Sequence, residues 1–112
     1  VATVRDMMVA NNVITRLSTN PNVFVTTAYK LLPILTYLTD TVAKYNKVKE
    51  DILAADSDGD QKEKELTAYL DSEVILPSVQ VGVNSLRNCG LTMVDLQNIN
   101  WWLVEFADEY ED

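Results

Sequence analysis

The stretch VFVTTAYKLLPILTYLTDTVAKYNKVKEDILAA, residues 23–55, decides the fold. Leu31, Leu35, Leu38, Val42, Tyr45, Val48 and Ile52 follow one another in steps of three or four. That spacing lines apolar side chains along one face of a packed or coiled helix. Pro33 interrupts the pattern. It either bends one long helix or occupies the first turn of a helix whose preceding VFVTTAY is extended. The β-branched content of VFVTTAY favours a strand, whereas AYKLL already has helical spacing. The spacing predicts a long helix with a bend. Thirty helical residues reach about 45 Å, and a helix of that length needs a partner alongside it.

The partner is expected just beyond AADSDGDQKEKE, residues 54–65. This stretch resembles a calcium loop, whose pattern is D-x-D-x-D-G-x5-E. Placing Gly59 at the glycine position puts Asp56, Asp58 and Glu65 in register, but Ala54 falls where the first ligand belongs and Lys62 where a ninth-position acid belongs. Starting at Asp56 instead puts Gln61 at the glycine and Thr67 at the glutamate. Neither frame works, which leaves Asp56, Asp58, Asp60 and Glu65 as weak metal candidates. A polar corner explains the same residues, with Gly59 supplying a positive φ and Asp or Ser capping the next helix. KEKELTAYLDSEV then makes a shorter helix, with Leu66, Tyr69, Leu70 and Val74 on one side, folding back antiparallel on the first.

Outside this hairpin lie three further elements. TVRDMMVANNVITRLSTNP reads as a short helix capped by Thr3 and Asp6, with Val4, Met7, Met8, Ile14 and Leu17 as its stripe, ended by turn residues around Pro21. In ILPSVQVGVNSL, Val79, Val81 and Val83 alternate with Gln80, Gly82 and Asn84, which is strand spacing. A lone strand needs a mate, either VFVTTAY or another chain. LTMVDLQNINWWLVEFADEYED reads as a final helix capped by Thr92 and Asp95, with Leu96, Ile99, Leu103, Phe106 and Tyr110 as its stripe. Trp101 and Trp102 are adjacent, so one enters the core and the other sits on the flank. The expected fold is mainly α with a minor β part: a small helical bundle containing an antiparallel helical hairpin and one short extended segment near residues 78–84. It forms a single domain, residues 1–112, with an acidic C-terminal tail at about 107–112.

Composition excludes much chemistry. The chain has no histidine and one cysteine, Cys89. Without histidine, the usual general base and the Ser-His and Cys-His pairs are missing. One cysteine forms neither an internal disulfide nor a thiolate cluster. Arg87 is near enough in sequence to lower its pKa, but a small half-buried residue beside a turn is the simpler reading. There is no glycine-rich phosphate loop, and no acid sits in the apolar setting that general acid–base work requires. Neither an enzyme nor a cofactor is expected. No run has the length of a membrane span and no signal pattern opens the chain.

Charge is unevenly placed along a chain of net charge −8. Residues 1–53 carry six Lys or Arg against four acids, and residues 54–112 carry three against thirteen. Phosphate is repelled by such a second half, so direct nucleic-acid binding is not expected. The acidic half is either a solvated face or a surface for a basic partner.

The segments NVFVTTAYKLLPILTYLTDTVAKYNKVKEDIL, LTAYLDSEVILPSVQVGVNSL and LTMVDLQNINWWLVEFADE, in this order, resemble an uncharacterised family of small helical proteins of tailed bacteriophages, encoded among structural and assembly genes. AYKLL, LDSEV and LTMVDL carry the resemblance, which spans residues 22–110; Pro33 and the Trp101–Trp102 pair depart from it. It implies a phage setting, in the virion or the host cytoplasm, and transfers no catalytic residue. The expected function is therefore a non-enzymatic phage structural or assembly protein. It would dock on itself or on other phage structural proteins through apolar helix faces, with Trp101, Trp102, Phe106, Tyr110, Val79, Val81 and Val83 as interface candidates. The second reading is a small acidic protein that binds and inhibits a basic host factor. The third is a metal-binding or enzymatic domain resting on DSDGD.

Overall fold

The computed structural model describes residues 2–104. It is mainly α, with four α-helices and a two-stranded parallel sheet as the minor β part. Helix α1 (Val4–Ser18) opens with a complete capping box: Asp6 N–H donates to Thr3 Oγ1 at 3.3 Å, and Thr3 N–H to the Asp6 carboxylate at 3.0 Å. Its buried stripe is Val4, Met7, Ala10, Val13, Ile14 and Leu17. Two of its amide donors are thus satisfied before the apolar face begins.

Helix α2 (Val25–Ala54) runs 30 residues through Pro33. The strand alternative for VFVTTAY does not hold. Phe24 is the N-cap and Thr27 is already buried in the helix. The reason is packing. Thr27, Leu31, Ile34, Leu38 and Thr41 form one buried face at steps of three or four, and only a helix presents them together to α1. Pro33 has no N–H for the carbonyl of Tyr29, but both residues are exposed, where solvent can serve that carbonyl.

The deepest seam is rotated from the expected one. Leu35, Val42, Tyr45, Val48 and Ile52 are only half-buried. Among the described residues the far half of α2 packs mainly against α3 (Gly59–Leu70), and no residue of α3 is buried. The hairpin is antiparallel as expected: Tyr45 and Tyr69 stack with ring centroids 6.3 Å apart, and Lys62 Nζ donates to the Leu53 carbonyl at 2.9 Å. It projects from the core and makes the molecule 55 Å long against 25 and 23 Å in the other directions. Gly59 does not take the expected positive φ. It is the first residue of α3, and extended Asp58 turns the corner with its carboxylate on Gln61 N–H at 2.7 Å. The positive φ belongs to Gly90, at 72°.

Beyond α3 the chain returns to the start of α1. Val4 N–H donates to the Ser72 carbonyl at 3.1 Å and Val74 N–H to the Ala2 carbonyl at 3.0 Å, with an exposed ion pair between Arg5 and Asp71. The expected strand over 78–84 shrinks to β1 (Val81–Gly82), and Val83–Leu86 is a 3-10 turn. Its mate is neither VFVTTAY nor another chain but β2 (Leu103–Val104), in parallel, with Val81 opposite Leu103 and Gly82 opposite Val104. The final helix is corrected accordingly. Helix α4 (Met93–Asn98) has the Thr92–Asp95 capping box, then stops, and a 3-10 turn over Asn100–Trp102 leads into β2. Asn98, Asn100 and two tryptophans are modest helix formers, while pairing Leu103 with Val81 gives the valine segment the mate it requires.

The core joins Met7, Ala10, Val13, Ile14 and Leu17 of α1 to Leu31, Ile34 and Leu38 of α2. Val81, Leu86, Cys89, Ile99 and Trp102 close it from the other side. Each large apolar side chain so buried contributes about 1.5–3 kcal/mol relative to exposure. No helix among the described residues is long and apolar enough to cross a membrane.

Candidate interaction surface

The packing that buries one face of α2 leaves the opposite face uncovered. Val25, Tyr29 and Leu32 are 85, 76 and 53 % exposed, and with Thr36 they follow one another by four, three and four residues. At 100° per residue these positions form one stripe, turned away from the buried Leu31–Ile34–Leu38 face. Lys30 is the one charge between Leu17 and Thr39. An exposed apolar stripe without charges is the kind of surface that marks a protein contact.

Three hollows adjoin the stripe. Tyr29, Leu32, Pro33, Thr36 and Tyr37 line one of about 610 Å³. Tyr29, Lys30 and Pro33 line another, of about 490 Å³, with Ser78, Val79 and Gln80. The third is narrower, about 200 Å³, and lies where the end of α1 meets α2; Ile14, Leu17, Val23, Leu31 and Leu35 are in its walls, with Leu32 between it and the first. Together they make a knobbed, grooved, mostly apolar patch.

The expected interface residues are scattered by the fold. Trp102, 2 % exposed, and Val81 are core residues and unavailable to a partner. Trp101 is the flanking member of the pair, 40 % exposed; Val83 is exposed and Val79 half-buried. Phe106, Tyr110 and the acidic 107–112 tail lie outside the described residues. Missed in the sequence was the stripe Val25–Tyr29–Leu32–Thr36. Its signal was a second helical spacing within a run nearly free of charge, masked by the β-favouring look of VFVTTAY.

The acidic corner is built as a cap. Asp58 holds the first turn of α3, Asp60 lies within that turn, and Glu65 meets Gln61 Nε2 at 3.4 Å. Among the described residues, no three Asp, Glu or Cys side chains stand close enough to hold a metal ion. Asp60, Glu63, Lys64, Thr67 and Ala68 line only a wide-open hollow of about 530 Å³. Cys89 is the small buried residue beside a turn that the sequence favoured, and burial pushes its thiol up from the ordinary value.

No family model, no curated protein and no solved structure matches the chain. Function must be argued from the surface.

Proposed function

We propose that this chain is a non-enzymatic structural or assembly protein that docks through an apolar helix surface, on itself or on other components of a phage particle. The observation that carries the docking is the uncovered stripe Val25–Tyr29–Leu32 on α2, with grooves on both sides. A partner that fills those grooves removes apolar area from water at about 25 cal/mol per Å². The phage setting rests on the AYKLL, LDSEV and LTMVDL resemblance alone.

The acid-rich corner and third helix, with Asp56, Asp58, Asp60, Glu63 and Glu65 against Lys62 and Lys64, favour a second reading, in which the chain occupies a basic site on a host protein. The two readings differ in salt response. Apolar docking persists at high salt, whereas docking through exposed acids weakens as the Debye length shrinks. Light scattering behind a sizing column, at low and high salt, separates them. The assembly reading expects a defined oligomer at both; a clean monomer at both turns attention to the acidic face.

A further inference from the structure

We infer that residues 91–104 form a strap that opens as one unit about Gly90, latched by Arg16 and Asp95, while the α1–α2 body stays folded.

The strap begins where the chain's anchorage ends. The Cys89 carbonyl accepts a hydrogen bond from Asn20 Nδ2 at 2.8 Å, and the Cys89 N–H donates to the Leu86 carbonyl at 3.1 Å. These bonds hold the chain on the body as far as residue 89. Gly90 follows at φ 72°, in the left-handed region that favours glycine. A Cβ there would meet nothing within 4 Å. The glycine therefore answers a backbone need rather than close packing, and a residue of that kind can absorb the rotation of a hinge.

Beyond Gly90 the local order belongs to the strap itself. Thr92 and Asp95 cap each other, Leu96 N–H donates to the Thr92 carbonyl at 3.1 Å, and Trp102 N–H to the Ile99 carbonyl at 3.2 Å. Two polar links cross to the body. One is the Arg16–Asp95 ion pair at 2.6 Å, and the other is the pairing of Leu103–Val104 with Val81–Gly82. Two strands this short do not hold together by themselves, so the ion pair is the latch.

Burial divides the molecule in the same way. Within 91–104 the buried apolar side chains are Ile99 and Trp102, while Met93, Val94 and Trp101 are exposed. Ordering the whole segment costs conformational entropy at every residue, and two large side chains do most to offset it. Trp102 Nε1 is buried without a hydrogen-bond partner among the described residues, and water supplies one when the strap opens. The α1–α2 core around Met7, Ile14, Ile34 and Leu38 is independent of that opening. The open form bares the Val81–Gly82 edge, whose backbone groups are then free to pair with another strand.

Native-state hydrogen exchange on the full chain, followed by NMR across low urea concentrations, tests this. The Leu96 and Trp102 amides and the Trp102 indole N–H are expected to exchange with one shared urea dependence, at least tenfold faster than the Ile14 and Leu38 amides. Arg16→Leu removes the latch and should speed exchange in the strap about tenfold. Thr3→Ala removes the cap of α1, which stays intact when the strap opens. It should speed the Ile14 and Leu38 amides about fivefold and leave the strap unchanged. Strap and body exchanging at one rate in the wild type, or Thr3→Ala speeding both alike, overturns the separate opening. Strap exchange that Arg16→Leu leaves unchanged overturns the latch.

Discussion

Arg16 and Asp95, 79 residues apart in sequence, meet in a two-pronged contact: Nη2 to Oδ1 at 2.6 Å and Nη1 to Oδ2 at 3.3 Å. The same carboxylate accepts the Thr92 N–H at 3.0 Å, closing the cap of α4. The last turn of α1 thus holds the element that positions Trp102 and β2. The Arg16 hydrogen bond is the main cause that keeps the Asp95 carboxyl below its ordinary value of 3.8, with the Thr92 amide helping and burial opposing.

This contact predicts a pH-dependent stability difference. A depressed folded-state pKa stabilises the fold above the unfolded value, and the stabilisation is lost as pH falls through the folded value. Wild type should therefore melt higher than Asp95→Asn at neutral pH, with the gap narrowing as pH drops below the ordinary carboxylate range. Paired thermal melts from pH 7 to strongly acidic pH check it. A constant gap would show that Asp95 acts without its charge.

The core and the projecting hairpin should respond differently to truncation. Leu38 is fully buried in the core, whereas Leu66 of α3 is half-buried on the projecting hairpin. Leu38→Ala is expected to cost about 2–5 kcal/mol and Leu66→Ala about 1 kcal/mol, read by urea denaturation.

The tryptophans should separate by solvent access. In Trp102→Phe only the exposed Trp101 remains, and acrylamide should quench it strongly; in Trp101→Phe the remaining buried Trp102 should be protected. Trp102 Nε1 is buried without a hydrogen-bond partner among the described residues, so Phe gives up no bond there. Trp102→Phe keeps one ring in the core and is expected to cost less than the about 3–5 kcal/mol of Trp102→Ala.

The acidic corner should behave as a helix cap. Asp58→Ala is expected to destabilise by about 1 kcal/mol. Calcium should leave the melting temperature unchanged, because a ligand raises it only by binding the folded state. A calcium-dependent rise abolished by Asp58→Ala would contradict the corner reading.

What was legible in the sequence was local. Thr3–Asp6 and Thr92–Asp95 announced both capping boxes three residues apart, and the spacing from Leu31 onward announced α2. Local signals failed where a distant pairing decided the outcome. Leu96, Ile99 and Leu103 keep helical steps, yet Leu103 pairs with Val81, and no window around either residue contains the other. Likewise Thr27 is β-favouring by itself and helical because α1 covers the face it shares with Leu31 and Ile34. The outer stripe was hidden for a related reason: a spacing pattern marks two faces of a helix equally well, and only packing shows which one is left uncovered.

Hydrogen exchange at low and high protein concentration tests the central claim most directly. Self-docking through the apolar face of α2 predicts that protection of residues 25–37 rises with concentration, while the hairpin end, residues 50–65, is unaffected at either salt. Protection that rises at the hairpin end instead, or nowhere, would contradict it.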